Sequence, residues 1–168
     1  MRAVLQRVHH ARVTVDDAET GVIGPGLLVY LGIAPADGPA EVEWCARKVA
    51  EMRLFPGEPG TEAAERPDRS VEETGGAVLL VSQFTLYADT RRGRRPAFTD
   101  AAPPEVAAPL VDAVRDALRA RGLRVEEGRF GAHMLVESAN DGPVTIILDS
   151  ADRDRPRRGG SEPRAPRG

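Results

Sequence analysis

The spacing of apolar residues changes several times along the chain and divides it into strands and helices. The first segment is rich in β-branched residues and ends at the polar pair Asp16-Asp17. A short apolar piece at Val22-Ile23 and the sequence Gly24-Pro25-Gly26 then lead into the apolar run "LLVYLGI". Apolar runs of this kind, separated by turn residues, predict an antiparallel meander.

Two later segments repeat their apolar residues at helical spacing. The first runs from Pro39 to Met52, and the second runs from Pro104 to Arg121, where Gly122 provides a natural stop. Pro109 either kinks the second helix or marks its effective first turn. The two apolar stripes consist of Val42, Cys45, Val49 and Met52, and of Val106, Leu110, Val114 and Leu118.

The remaining segments predict a loop and further strands. Residues 56 to 76 are polar and interrupted by Pro and Gly, which is typical of an exposed loop. The run "AVLLVSQFTLY" is first continuously apolar and then alternates, and strands are also expected at 123–126, 133–139 and 144–148. Between the last two lies "NDGPVT", whose turn residues ordinarily make a hairpin. This order of elements predicts an α+β domain with a curved, barrel-like, largely antiparallel or mixed sheet covered by two main helices.

Length and composition favour one domain followed by a tail. Of the 168 residues, 1–150 are expected to form a single domain with a sizeable core. Residues 151–168 contain no aliphatic residue larger than Ala and are filled with Arg, Pro and Gly, so we expect them to be disordered. Six arginines against three acidic residues give this tail a charge of +3 and leave −6 on the domain. The tail either adds weak, salt-sensitive attraction to RNA or is solvated filler.

Other features of the composition exclude several classes of protein. Lys48 is the only lysine among 23 basic residues, a bias that suits phosphate binding but also follows from a genome rich in G and C. Cys45 is the single cysteine, so there is no disulfide framework or Cys-rich zinc pattern. No apolar run approaches the roughly 18 residues of a membrane span. We expect a cytoplasmic protein with no membrane or DNA partner, no metal and no organic cofactor.

A polar insertion interrupts the buried strand at Ser82-Gln83-Phe84-Thr85. If the strand continues, Gln83 and Thr85 share one face about 7 Å apart, and Ser82 and Phe84 share the other. The pattern fits a functional site, but strands also become polar simply as they leave the core. The histidines do not complete a hydrolase constellation, because the sequence places no base beside Ser82 or Thr85. Nothing resembles a Gly-x-Ser-x-Gly nucleophile elbow.

The segment "ADTRRGRRPAF" follows directly and carries four arginines around Gly93. Guanidinium groups in such a loop are able to bind phosphodiester oxygens, and Phe98 is able to stack on a base. The alternative is a charged surface turn.

Taken together, these segments resemble the D-aminoacyl-tRNA deacylases over nearly all of residues 1 to 149. The resemblance is carried by "LQRV", "GPGLLVYLGI", "GGAVLLVSQFTLYADT", "GRRPAF", "GRFGAHMLVE" and "NDGPVT", which occur in the family's order and approximate spacing. Ser-Gln-Phe-Thr and Asn-Asp-Gly-Pro-Val-Thr in one chain are a specific signature. The chain departs from the family between Thr61 and Val71, at His133 and in the tail.

The resemblance implies a homodimeric enzyme that hydrolyses the ester joining a D-amino acid, or glycine mischarged on tRNA-Ala, to the terminal adenosine of tRNA. It implies that the Gly142-Pro143 bond is cis and enters the partner subunit's active site as a chiral filter. The substrate pocket and catalytic groups fall on Ser82, Gln83, Phe84 and Thr85, further substrate contacts on Met134 and Phe98, and RNA contacts on Arg7 and Arg95. A nonenzymatic RNA-binding protein and a small-ester hydrolase using Ser82 or Thr85 are the alternatives.

Overall fold

The first three strands form one long, interrupted antiparallel hairpin. The structure is a computed structural model that describes residues 1–64, 66–91 and 93–155. Strand β1 (Arg2–Val15) pairs with β2 (Ala18–Ile23) through its second half and with β3 (Gly26–Gly32) through its first half. Asp16 and Asp17 form the turn with φ of 50° and 62°, as a two-residue hairpin turn requires. The predicted meander is therefore wrong in its pairing, since β3 lies against β1 and not against β2.

The other strands extend this hairpin on both sides into a nearly closed, barrel-like mixed sheet. Strand β6 (Ala77–Ser82) pairs parallel with β3, and β7 (Val125–Glu127) pairs parallel with β6. Strand β8 (Leu135–Asp149) runs antiparallel to β1 along almost its whole length. The predicted α+β class and curved mixed sheet are confirmed.

Two main helices cover one face of the sheet, as expected. Helix α1 (Pro39–Glu51) and helix α3 (Pro104–Ala120) begin at the predicted residues and end within one residue of the predicted ends. Pro109 lies inside α3, which is continuous through it. The helices pack through Val49 and Val114, both fully buried, onto residues of β1, β3 and β6.

A second apolar cluster fills the opposite, concave face of the sheet. Leu28 and Leu79 lie there with Val8 and Val13, whereas Leu27 belongs to the cluster beneath the helices. Both faces of β3 and β6 are thus buried. This explains why the two strands are continuously apolar in sequence, without the alternation of a half-exposed strand.

The segment 56–76 is more ordered than the sequence predicts. It contains a two-stranded ribbon of β4 (Phe55–Pro56) and β5 (Pro67–Arg69), followed by a short helix α2 (Val71–Thr74). Ser70 caps this helix by accepting a hydrogen bond from the Glu73 N–H, and the Glu73 carboxylate accepts one from the Ser70 N–H. The prediction of an exposed loop is wrong for Ser70 and Val71, which are both buried.

After β8, the chain forms a single 3-10 turn over Ser150–Asp152. Arg153 then lies 3.2 Å from Glu41 at the start of α1. Residues 156–168, most of the predicted disordered tail, lie outside the described residues. In the described ranges, no helix is both long and apolar enough to span a membrane.

Candidate active site

A cavity of about 590 Å³ lies where β6 ends, between the start of α3 and the segment that leads into β8. Its lining is mainly apolar, with contributions from Leu31, Val81 and Val111. The polar side chains at its wall are Ser82, Gln83 and His133. Five of the predicted site residues meet here: Ser82, Gln83, Phe84, Phe98 and Met134.

The strand predicted across the polar insertion does not continue past Ser82. The chain instead turns into a 3-10 helix over Phe84–Tyr87, which we call the site turn. The expected alternation of Gln83 and Thr85 on one strand face is therefore wrong. Their side chains nevertheless meet, because Gln83 Nε2 donates a hydrogen bond to Thr85 Oγ1. Thr85 itself is exposed and lies outside the cavity lining.

The site turn begins with two adjacent backbone N–H groups, the first of which belongs to Phe84 of the cavity lining. The Gln83 N–H donates to Leu31 O at 2.7 Å, which ties the start of the turn to β3. Within the described residues, the N–H groups of Phe84 and Thr85 donate to no protein oxygen. Leu86 N and Ala88 N close the turn by donating to Gln83 O and Thr85 O. A pair of fixed, unused N–H groups is the arrangement that stabilises an oxyanion.

Two aromatic rings form the outer wall of the cavity. Phe84 is 57% exposed, and its ring meets that of Phe98 edge-to-face, with 5.0 Å between centroids. Phe98 reaches this position because backbone hydrogen bonds between Asp89 and Ala97 close the intervening loop. Together, the rings leave an apolar, partly open mouth suited to a nucleobase or an apolar side chain.

The arginines of the loop that carries Phe98 differ in their contacts. Arg91 Nε donates a hydrogen bond to Asp89 Oδ1 at 2.9 Å, and Arg91 Nη2 donates one to Asp89 Oδ2. These side-chain hydrogen bonds lower the pKa of Asp89 to about 2. Arg94 and Arg95 are exposed and make no ion pair with a described residue. Arg92 lies outside the described residues. Arg91 is thus an internal support of the loop, while Arg94 and Arg95 face solvent.

The stretch "NDGPVT" is not a hairpin, since the segments on both sides of it pair with the same strand. Residues 135–140 and 145–149 of β8 both run along β1, and the four residues 141–144 stand opposite Arg7 alone. We call this bulge the β8 excursion. Asn140 Nδ2 closes it by donating to Val144 O at 3.0 Å and to Arg7 O at 2.9 Å. The Gly142-Pro143 bond at its tip is cis, and both residues are exposed.

Arg7 supports the β8 excursion from inside. Its side chain is only 12% exposed, with Nε 2.8 Å from Asp141 Oδ2, and Nη1 donates to Leu54 O at 2.6 Å. An RNA contact by Arg7 would have to displace these interactions. Neither Arg7 nor the Gly142-Pro143 pair lines the cavity of its own chain.

Sequence reasoning missed most of the cavity wall. The segment that leads into α3 contributes Ala101 to Pro104, and the segment before β8 contributes Phe130 to His133. These residues carry no chemical signature, apart from the occurrence of the second group in "GRFGAHMLVE". His133 shares the cavity with Ser82, but no hydrogen bond joins them in the described part of the chain, so no nucleophile and base pair is formed. The described residues of the chain also contain no cluster of three His, Cys, Asp or Glu side chains able to hold a metal.

Comparison with known proteins gives a consistent result over the whole domain. Residues 4–149 match the family model described as D-Tyr-tRNA(Tyr) deacylase. A D-aminoacyl-tRNA deacylase of Kineococcus radiotolerans is 60% identical over 151 residues, covering 89% of this chain and all of that protein. One from a Roseiflexus species is 57% identical, covering 94% and 98% of the two chains.

Solved structures show the same fold. A structure described as c-Myc DNA Unwinding Element Binding Protein superposes with a TM-score of 0.80 at 38% identity, covering 89% of this chain and 98% of that one. A probable eukaryotic D-amino acid tRNA deacylase has a TM-score of 0.75 at 20% identity, a level that supports the fold alone.

Proposed function

Because the chain belongs to the D-Tyr-tRNA(Tyr) deacylase family, and so hydrolyses the ester of D-aminoacyl-tRNA, we propose a division of this work among its residues. The ester lies in the cavity at the end of β6, and the backbone N–H groups of Phe84 and Thr85 stabilise the oxyanion. Gly142 and Pro143 of a second copy select the D configuration. The observation that carries the proposal is the pair of unused backbone donors beside the cavity. Family membership sets aside the alternative of a nonenzymatic RNA-binding protein.

The chemistry asks little of the protein's side chains. Water adds to the ester carbonyl, the carbonyl oxygen becomes an oxyanion, and collapse breaks the bond to the ribose 3′ oxygen, which takes up a proton. An aminoacyl ester is already activated, and the neighbouring ribose 2′-OH is placed to assist this proton transfer. Orientation of the ester and two fixed N–H donors then supply the main catalytic contributions. No metal or organic cofactor takes part in this scheme.

Thr85 acts through its backbone in this proposal. Its hydroxyl accepts a hydrogen bond from Gln83 and lies outside the cavity lining, with no base beside it in the described residues. A hydroxyl in this setting lacks the activation that a nucleophile requires. Gln83 therefore orients the turn, and the reaction proceeds without a covalent enzyme intermediate.

Handedness is selected by backbone groups of the β8 excursion, reaching into the cavity of a second copy. Support comes from the exposure of Gly142 and Pro143 and from their absence from their own chain's cavity. On the same strand, Ile147 is 75% exposed and Leu135 60% exposed, apolar area that a homodimer would cover. Carbonyls of the excursion accept the α-ammonium hydrogens, and their bulk excludes an L side chain. Glycine has no side chain and passes this filter, so tRNA-Ala mischarged with glycine is a second substrate.

The tRNA approaches across the cavity mouth. Support comes from the exposure of Arg94 and Arg95 on the loop whose Phe98 forms that mouth. In this proposal their guanidinium groups bind acceptor-stem phosphates. The terminal adenosine lies between this loop and the cavity. Because its substrate is an aminoacyl-tRNA, we propose that the enzyme acts in the cytoplasm.

One experiment tests the scheme: hydrolysis of D-tyrosyl-tRNA, L-tyrosyl-tRNA, glycyl-tRNA and D-tyrosyl-tRNA ending in 2′-deoxyadenosine. We expect rapid turnover of the D and glycyl esters, rejection of the L ester and slow turnover of the deoxy substrate. Equal D and L rates would contradict the chiral filter. An unimpaired deoxy substrate would remove the role of the 2′-OH. Rapid turnover of a simple ester without ribose would favour the small-ester hydrolase instead.

A further inference from the structure

An arginine at the start of the chain contacts the site turn. Arg2 Nη1 donates to Leu86 O at 3.0 Å, near the end of the turn. The Arg2 guanidinium also lies over the ring of Tyr87, with Cζ 4.5 Å from the ring centroid. One side chain thus contacts two of the four residues of the site turn.

Arg2 is itself fixed by its partner on the neighbouring strand. Arg2 and Asp149 are cross-strand neighbours of β1 and β8, and Arg2 Nε donates to Asp149 Oδ2 at 2.8 Å. Because the guanidinium is a rigid planar fork, the bond to Asp149 determines where Nη1 points. Asp149 is 24% exposed and also accepts a hydrogen bond from the Ala151 N–H. The carboxylate is therefore itself held in place.

The turn also packs directly against β3, whose Gly32 is the cross-strand neighbour of Arg2. A Cβ at Gly32 would stand 3.0 Å from Gln83 O and 3.1 Å from Leu86 Cβ, so the turn packs on the bare backbone of this glycine. The hydrogen bond from Gln83 N–H to Leu31 O fixes only Gln83, the residue that precedes the turn. At the other end, Arg2 supplies the polar contact that keeps Leu86 from shifting.

We propose that Arg2, oriented by Asp149, is a positioning residue for deacylation, which fixes the site turn so that the N–H groups of Phe84 and Thr85 keep their direction toward the ester. This inference rests on the function proposed above for those two groups. Arg2 touches no substrate atom in it. A shift of about 1 Å in catalytic groups costs about 100-fold in rate. The contribution of Arg2 therefore falls on kcat, while the cavity that binds the substrate is unchanged.

The chain provides a matched control on the same two strands. Arg12 of β1 pairs with Glu137 of β8, with Nε 2.6 Å from Oε2, and the two are also cross-strand neighbours. The side chain of Arg12 is 50% exposed and that of Arg2 is 41% exposed. Among the described residues, Arg12 has no hydrogen bond or ion pair with the site turn. Arg12→Met therefore removes a similar ion pair without removing the proposed support.

The test compares Arg2→Met, Arg2→Lys and Arg12→Met by steady-state hydrolysis of D-tyrosyl-tRNA. We expect Arg2→Met to lower kcat about 10- to 100-fold with KM within about twofold, as loss of alignment predicts. Arg2→Lys keeps the positive charge but not the planar fork that Asp149 orients, so it should recover only part of the lost kcat. Arg12→Met should match the wild type. The ratio of D to L turnover should stay unchanged in all three.

The inference is overturned if Arg2→Met has the same kcat as Arg12→Met, or if Arg2→Lys has the wild-type kcat. If Arg2→Met does not fold, Asp149→Asn decides, because it keeps Arg2 but removes the charge that orients it. We expect that variant to lose about 3- to 10-fold in kcat, and no loss would refute the role. Failure of the proposed function is separate, since it would already appear in the wild type and Arg12→Met.

Discussion

Replacing Gly142 with alanine perturbs the β8 excursion at its tip. Gly142 has φ of +114°, a backbone conformation that residues with a Cβ rarely adopt. The new Cβ would stand 2.8 Å from Val144 Cγ2, 3.0 Å from Arg7 Nη2 and 3.1 Å from the Val144 backbone nitrogen. Val144 and the Arg7 guanidinium are both held by neighbouring hydrogen bonds or ion pairs. The chain must therefore relieve the contacts by moving the excursion.

The expected effect of Gly142→Ala has two contributions, one to stability and one to turnover. A non-glycine residue in such a backbone region costs about 1–3 kcal/mol of folding free energy. Displacement of the excursion adds a loss of function, because misplacing selective groups by about 1 Å costs about 100-fold in rate. Gly142→Ala should therefore lower Tm modestly, by about 2–4 °C per kcal/mol for a chain of this length. It should lower kcat/KM for D-tyrosyl-tRNA, and narrow the ratio of D to L turnover, far more than its stability loss explains.

Gly122 offers a control that also has a positive φ but no clash. It follows α3 with φ of +86°, and a Cβ there would meet nothing within 4 Å. Gly122→Ala should reduce Tm to a similar extent while leaving D and L turnover at wild-type values. Both variants are measured by thermal unfolding and by deacylation of D- and L-tyrosyl-tRNA at a temperature where each is folded. If Gly142→Ala and Gly122→Ala have the same turnover and the same D to L ratio, the excursion does not select handedness.

Three further outcomes are expected. Thr85→Ala should keep kcat within about tenfold of the wild type, whereas loss of a side-chain nucleophile costs about 10⁴-fold or more, and single-turnover rates distinguish the two. Arg94→Ala combined with Arg95→Ala should weaken tRNA binding and reduce the salt slope of log K by about one per lost phosphate contact, and an unchanged slope in filter binding would contradict the tRNA path. Asp89→Asn should lower Tm at neutral pH, because the pKa of Asp89 is held at about 2 by Arg91. The depressed pKa stabilises the folded state above the unfolded value of about 4, so this difference should vanish as pH falls from about 4 to 2, and a pH-independent difference would refute it.

The parts of the fold that could be predicted are those in which burial repeats along the chain. The stripes of α1 and α3 follow the helical period, so their ends were found within one residue. β3 and β6 are apolar on both faces because helices cover one face and the concave cluster covers the other. In these elements, local sequence and tertiary burial agree, so the apolar pattern alone is sufficient to predict them.

The site departs from these periodic rules at two places. The strand prediction continued through Thr85 because Phe, Thr and Tyr are favoured in strands. The structure instead ends the strand at Ser82, where Gly32 lets the chain turn closely against β3. That close approach involves residues about fifty positions apart, and no local pattern records it. A continuing strand would place successive N–H groups on opposite edges, whereas those of Phe84 and Thr85 both lie at the N-terminal end of the 3-10 turn.

Strand pairing explains why the β8 excursion is not a hairpin, although its residues are typical of turns. β1 spans fourteen residues from Arg2 to Val15, and its edges need partners over most of that length. The hairpin with β2 and β3 satisfies one edge, so the other requires a strand about equally long. If "NDGPVT" reversed the chain, half of that edge would be left open. The same residues must therefore leave the strand and return to it, which makes the Gly142-Pro143 pair an exposed projection rather than the end of a hairpin.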